Sequence, residues 1–361
     1  MGFLQFLENV VSHIQGMQKR HDTIGQNIRL QATKPLTNNP REPLPETQLA
    51  HPLKNIPLSG RMGGVDSGFA SQSFYSIDLM MLRTCGVCME YENGKMVKTN
   101  YHPETFSLPD PIVNTQGLER EEFHKFVSLT RLQAEIENAT QLIQKNKLNV
   151  CFLDGSLILH PMDKPSNDSP LMGEYHKTIL KFVKLYETAE ENHCILIGAI
   201  EDSRSTRLGE WIEANLGTTS GIKAEKLHDV PLMEKVLLAQ ERSIVFPLTE
   251  TLSKHVILQD FPENWARKLF ACYLKPSQWD YPLRIEFLCE GKDAAAHAQQ
   301  CAEIAFAQSK LHKEYAFPTV LIEADMHAGL KQEEVELVSD KIMSKLGRHT
   351  IRMRRRDRRP F

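Results

Sequence analysis

The sequence has no apolar run near the roughly 18 to 20 residues that a membrane-spanning helix needs. Its first eighteen residues carry Glu8 and His13 in a short amphipathic pattern. They lack the basic start, apolar middle and small-residue cleavage site of a secretory signal. Seven cysteines form an odd, scattered set that builds no disulfide framework and fits a reducing cytoplasm. Cys85-Gly-Val-Cys88 has no second pair at zinc spacing and sits in an apolar run, so it belongs with the core. No internal repeat is present. Aromatic residues make up only 7%, and Trp211, Trp265, Trp279, Tyr273 and Tyr281 suit a core or an interface better than a base-stacking platform.

A broad basic face, the mark of a passive DNA binder, is also missing, because the net charge is −3. The basic charge is concentrated at one end. Residues 348–361 hold seven arginines against Asp357, a formal +6, which leaves −9 on the other 347 residues. Such a tail suits phosphates or an acidic partner, and the acidic body permits carboxylates gathered around metal ions. With 361 residues, 41% hydrophobic and 25% charged, the chain is long enough to bury a substantial core.

Periodicity predicts a helix over 3–30 and, through six prolines, an extended connector over 33–60. Two strands joined by a turn at Asp66–Ser73 are expected within 61–89, followed by a long helix over 119–145 and a strand over 149–153. A helix over 175–191 and a strand over 194–200 come next. Residues 203–265 read as a mixture of helix and loop elaborating the core. Paired strands over 269–274 and 283–288 precede helices over 294–312 and 319–346, the last starting just after Pro318. This order implies a mixed α+β fold around a mixed sheet. The domains expected are an N-terminal helix and connector (1–60), a main domain (61–347) and the basic tail (348–361).

Four acids draw attention as carriers of chemistry. Asp66 in Val-Asp-Ser-Gly and Asp154 in Leu-Asp-Gly-Ser each stand at the expected end of an apolar strand, where ligands collect in α/β folds. The same dipeptides are ordinary turn chemistry. Glu135 lies within the apolar stripe Leu132, Ile136, Ala139, Leu142 and Ile143, whereas Glu137 projects away from it. An acid on a buried stripe is costly unless paired or bound to a metal. On a helix after Pro318, Asp325 shares a face with Leu321, Ala324 and Ala328, and His327 points elsewhere. Several acids on one rim suit oxygen-preferring cations, Mg²⁺ or Mn²⁺, and support phosphodiester hydrolysis with two ions.

In order and spacing these signals resemble the NurA nucleases, partners of the hexameric HerA-type ATPase, across roughly residues 60 to 335. The resemblance rests on Val65-Asp66-Ser67-Gly68, on Arg131 to Ala139 with Glu135, on Leu153-Asp154-Gly155-Ser156-Leu157, and on Phe317-Pro318 through Ala324-Asp325. Asp202-Ser203-Arg204-Ser205 after a strand and Asp229 ahead of an apolar helix add to it. It implies an RNase H-like core, a homodimer, and Mn²⁺- or Mg²⁺-dependent deoxyribonuclease activity. That activity would be a 5′-to-3′ exonuclease and single-strand endonuclease acting on DNA ends in resection and double-strand break repair. Asp66, Glu135, Asp154 and Asp325 would be catalytic metal ligands, with Glu137, Asp202, Asp229, His327 and Phe317 as further candidates. Three positions depart from the family pattern: its tyrosine falls on Phe317, its histidine on Asp325, and a common lysine on Glu201. Phe317 and Glu201 motivate the alternative of a weakly active or inactive subunit that docks DNA onto the ATPase.

Overall fold

The computed structural model describes residues 3–32, 46–74, 77–103, 107–220 and 228–346. The basic tail and residues 33–45 of the expected connector therefore lie outside the described residues. In chain order the elements are α1 (Phe3–Ala32), β1 (Ala50–Pro52), β2 (Gly60–Ser73), β3 (Asp78–Glu92), β4 (Lys95–His102) and β5 (Asp110–Asn114). Next come α2 (Arg120–Asn146), β6 (Val150–Asp154), α3 (Met172–Glu191), β7 (Ile195–Ile200), α4 (Arg207–Ser220) and α5 (Asp229–Val236). The remainder is β8 (Glu241–Ser243), β9 (Phe246–Pro247), α6 (Glu263–Ala266), β10 (Leu269–Lys275), β11 (Leu283–Leu288), α7 (Ala294–Ser309), α8 (Thr319–Ala328) and α9 (Gln332–Leu346). Among the described residues no helix is long and apolar enough to cross a membrane.

These elements form two units. One holds described residues within 1–57, 199–250 and 267–318, and the other those within 58–198, 251–266 and 319–361. In the first unit β10 pairs antiparallel with β11, β8 and β9, and β1 extends the sheet beyond β8. Every residue of β10 is buried, as its nearly unbroken apolar run Leu-Phe-Ala-Cys-Tyr-Leu requires. Arg242 forms a bidentate pair with Glu46 at 2.9 and 2.6 Å, both side chains being almost fully enclosed. The short strands β8 and β9 fall in the region expected to hold only helix and loop. They are too brief to leave a period-2 signal.

In the second unit the strands lie in the order β4-β3-β2-β6-β7, with β5 also on β3 and only the first four residues of β7 belonging to the unit. β2, β3 and β4 are antiparallel, and β6 joins β2 in parallel. Counted along the chain this is the order 3-2-1-4-5, a mixed sheet flanked by helices, as an RNase H-like core demands. β3 is buried along most of its length, between neighbours on both sides. β4 escaped the sequence reading because Lys-Met-Val-Lys-Thr-Asn-Tyr-His buries no face; its side chains are exposed or half-buried throughout.

Two expectations need correction here. The turn expected at Asp66–Ser73 does not exist. β2 stays in unbroken register with β3 from Gly60↔Tyr91 to Ser73↔Asp78 and reverses only beyond Ser73. Its glycines serve close packing instead of a turn. A Cβ on Gly64 would lie 2.8 Å from the Val320 carbonyl oxygen, and one on Gly68 would lie 2.3 Å from that of Ala328. Both positions leave room for α8 to rest its backbone directly on the strand. The single helix expected over 319–346 is two, α8 and α9, with the break at Gly329 to Lys331. There the buried Arg83 on β3 donates from Nη1 to the Gly329 carbonyl (3.0 Å) and from Nη2 to Glu334 (2.6 Å).

Candidate active site

Strand alternation organises the site. Gly64 and Gly68 face α8, so Asp66, at the same parity in an unbroken strand, faces α8 too. Gly63 faces Leu142 of α2, and Ser67 shares that opposite face. The side chains follow this division. Asp66, 5% exposed, accepts the Ser67 backbone N–H at 2.7 Å and shares a hydrogen bond with Asp325 of α8. Ser67 donates its hydroxyl through a short hydrogen bond to Glu135 of α2. Glu135 is also enclosed, and its nearest cation is Arg131, one helical turn earlier at 3.7 Å.

Burial raises the Asp66 carboxyl to about 6, and the nearby charge of Asp325 adds to the rise. Glu135 is raised to about 7, again chiefly by burial, against the pull of Arg131 and the Ser67 hydroxyl. Two enclosed carboxyls held near neutral pKa signal a site short of positive charge. Asp154 ends β6 one residue past the pair Val65↔Leu153, so it stands level with Asp66 on the neighbouring strand, with its side chain exposed. Asp325 is exposed on α8, whose buried face is Val320, Leu321, Ala324 and Ala328.

The structure therefore brings Asp66 into electrostatic reach of Asp325 on one side and of Glu135 on the other, and sets Asp154 level with Asp66 on the neighbouring strand. Among the described residues no three His, Cys, Asp or Glu side chains are placed to hold a metal ion together. The alternation of β2 explains this: Asp66 and Glu135 lie on opposite faces of the strand, linked through Ser67. The donor chemistry still fits a hard dication. Every candidate ligand is a carboxylate oxygen, and a cation would replace the hydrogen bond between Asp66 and Asp325 while relieving the raised pKa values.

Within the second unit, Glu137 and His327 make other contacts. Glu137 points to solvent and pairs with Lys181 at 2.5 Å. His327 packs against Tyr101 with the ring centroids 4.5 Å apart and the planes tilted by 37°, with Nδ1 2.9 Å from the Glu323 carbonyl oxygen, and Tyr101 donates to the Glu323 carboxylate at 2.6 Å. Asp202, Asp229 and Phe317 belong to the first unit. Asp202 is exposed there, and Phe317 is buried with its ring 5.9 Å from that of Tyr315. Asp229 is wholly buried and caps α4, accepting the backbone N–H groups of Leu208 (3.2 Å) and Gly209 (2.7 Å) and the Tyr273 hydroxyl (2.8 Å). Burial raises its pKa. Ser67 and Arg131 are the polar partners that the motif reading passed over. Arg131 carried a readable signal, a cation four residues before an in-stripe acid.

Cys85 and Cys88 are buried on β3, and burial pushes both thiols up to about 11, which suits inert core positions.

Fold and site together define a mixed α+β protein that gathers carboxylates around β2. The NurA domain model matches residues 60–329, so the chain belongs to the NurA family. Among solved structures it is similar to the NurA nuclease from Sulfolobus solfataricus, at 12% identity and TM-score 0.57, covering 96% of this chain and 98% of that one. A second NurA structure is similar at 10% identity and TM-score 0.48, with coverage of 96% and 99%. A NurA bound to dAMP and manganese is similar at 9% identity and TM-score 0.46, with coverage of 96% and 97%. No curated protein matches the chain.

Proposed function

We propose that this protein is a metal-dependent deoxyribonuclease that cleaves phosphodiester bonds at DNA ends, as a 5′-to-3′ exonuclease and single-strand endonuclease. Its setting would be resection and double-strand break repair, as a pair of copies working with a HerA-like hexameric ATPase. The observation that carries the reading is the placement of Asp66. It is a buried acid in the middle of β2, level with Asp154 on β6 and hydrogen-bonded to Asp325 on α8, in a chain of the NurA family.

Asp66, Asp154 and Asp325 would hold Mn²⁺ or Mg²⁺, with Glu135 as the ligand from the α2 side. Bound there, two such ions supply an activated water and charge stabilisation for the leaving oxygen. The chain's own part is positional. The β3–β2–β6 pairing fixes the backbone of Asp66, Ser67 and Arg131 orient Glu135, and the glycine-lined seat of α8 sets Asp325 against Asp66.

A second reading is a subunit of weakened chemistry that docks DNA onto the ATPase. Phe317 and Glu201 favour it, since each replaces a polar or basic group of the family pattern. Purified protein incubated with end-labelled DNA and Mn²⁺, beside Asp66→Asn, separates the two. Degradation by the wild type alone supports the nuclease. DNA binding without degradation by either protein supports the docking subunit, and equal degradation by both removes Asp66 from the chemistry.

A further inference from the structure

Strand β2 keeps β3 beside it from Gly60 to Ser73 but meets β6 only from Met62 to Val65. Beyond Val65 its β6 side carries no partner strand among the described residues, and exposure returns along it. Gly68 and Ala70 are half-buried, and Phe69 and Ser71 are exposed. Phe69 shares the parity of Gly63 and Ser67, so it faces the α2 side of the sheet. It stands two residues, roughly 7 Å, beyond the serine that holds Glu135. Its cross-strand neighbour Leu82 is buried with Phe123 and Val127 of α2, yet Phe69 itself is 47% exposed. Single exposed apolar side chains are ordinary on a protein surface. Here the ring borders the carboxylates, at a position where threonine would keep the strand without exposing apolar area.

α2 adds positive charge beside this ring. Positions 120, 124, 131, 135, 138 and 142 fall within about 60° of one another around its axis. Glu135 meets Ser67, and a Cβ on Gly63 would touch Leu142, so this stripe faces β2. Four helix residues rise about 6 Å and two strand residues about 7 Å, which sets Arg131 level with Phe69. Arg131 is 38% exposed, and His124 and Arg120, further along the stripe, are exposed. The open side of β2 thus carries an aromatic ring, with cations on the helix that overlies it.

We infer that Phe69 is the platform on which an unpaired base of the substrate stacks, with Arg131 and the exposed cations beyond it taking the adjoining phosphates. A ring for the base and cations for the backbone is the combination by which proteins hold single-stranded nucleic acid. Phe69 is three residues from Asp66, roughly 10 Å along the strand. The stacked base therefore lies within about three nucleotides of the bond that is cut. Bases of an intact duplex are already stacked on their neighbours, so this contact selects single strands and frayed ends. Arg131 has donors to spare for a phosphate, because its guanidinium carries five N–H groups and Glu135 is 3.7 Å away. The inference rests on the DNA-processing reading above and gives it the residue that discriminates unpaired from paired DNA.

The test reads binding first, in EDTA at low salt, with the full chain and a fluorescein-labelled single-stranded oligonucleotide. Phe69→Ala and Phe69→Leu should each bind about tenfold more weakly by fluorescence anisotropy, and Phe69→Trp should bind as tightly as wild type. Leucine retains apolar bulk and lacks only the π face. Affinity for a blunt duplex should change by less than about twofold in every variant, which a general disturbance of the fold would not allow. An oligonucleotide with one abasic position, moved step by step, should lose affinity for wild type along one short stretch and lose none further for Phe69→Ala. Equal affinities of wild type and Phe69→Leu for the single strand, or an equal loss on the duplex, would overturn the inference. No binding of the single strand by wild type would overturn it too. Cleavage with Mn²⁺ is scored separately. A wild type that binds through Phe69 but does not cut would refute the nuclease and keep the platform, whereas a wild type that cuts with no loss in Phe69→Leu would do the reverse.

Discussion

Asp66→Asn is expected to make the metal-free protein more stable while abolishing cleavage. The folded protein raises Asp66 from 3.8 to about 6, so it holds the proton more tightly than the unfolded chain does. Below about pH 4 both states are protonated and the site costs nothing. As pH rises from about 4 to about 6 the unfolded chain gains an ionised carboxylate that the folded site resists, and stability is lost across that window. At 1.36 kcal/mol per unit, the penalty is about 3 kcal/mol at pH 8 and about 1 kcal/mol at pH 4.5. Asparagine keeps the shape and the acceptor for the Ser67 N–H but never ionises. In EDTA at pH 8 the variant should gain up to about 3 kcal/mol by urea denaturation, or roughly 5 °C in Tm, and most of that gain should vanish at pH 4.5. Added Mn²⁺ should reverse the ranking, since only the wild type presents the full anionic site. A variant no more stable than wild type at pH 8, or equally favoured at both pH values, would refute the argument that Asp66 is held against its charge.

Three further outcomes follow from the same geometry. Gly68→Ala places a Cβ 2.3 Å from the Ala328 carbonyl oxygen, so α8 must lift; a stability loss of about 1–3 kcal/mol is expected in chemical denaturation, with cleavage falling more steeply than stability. Asp229→Ala removes the buried cap of α4 and should cost at least about 2 kcal/mol, while Asp229→Asn, which retains an acceptor, should cost less; Tm measurements on the pair check this. Asp154→Asn alters an exposed strand end and should leave Tm unchanged, yet lower Mn²⁺-dependent cleavage of labelled DNA by about a hundredfold or more.

Long periodic elements were legible because their burial is one-sided and sustained. α2 was readable from Leu132, Ile136, Ala139, Leu142 and Ile143, and of these Ile136, Ala139, Leu142 and Ile143 are fully buried. β10 and β11 were readable as apolar runs on either side of a proline-containing turn. Glycine misled the reading of β2. Gly63, Gly64 and Gly68 suggested a reversal, yet the reason for Gly64 and Gly68 is a neighbour distant in sequence, α8, which lies more than 250 residues away. For the same reason Asp66 was expected at a strand end, when it stands in the middle of a strand that outlasts its partner β6. Asp229 looked like a site acid from its place before an apolar helix, but its partners Gly209 and Tyr273 are invisible in the linear order. Arg83 gave no local signal at all.

The seat of α8 decides what the site can be. Asp325 reaches Asp66 only because two glycines of β2 let a helix backbone approach within van der Waals contact and because Ala324 and Ala328 offer no bulk on the facing side. Arg83 and Tyr101, from β3 and β4, then hold that helix at its end and along its flank through the Gly329 carbonyl and the Glu323 carboxylate. A helix fixed at several points cannot slide to relieve the repulsion between Asp325 and Asp66, so the charge is left to a proton or a cation. Glu135, on the other face of the strand, is fixed with equal firmness by Ser67 and Arg131. The acids are thus imposed on one another by packing that is itself apolar and backbone-mediated. Loosening that packing, as Gly68→Ala would, should restore the Asp66 carboxyl toward its ordinary value even with all four acids present.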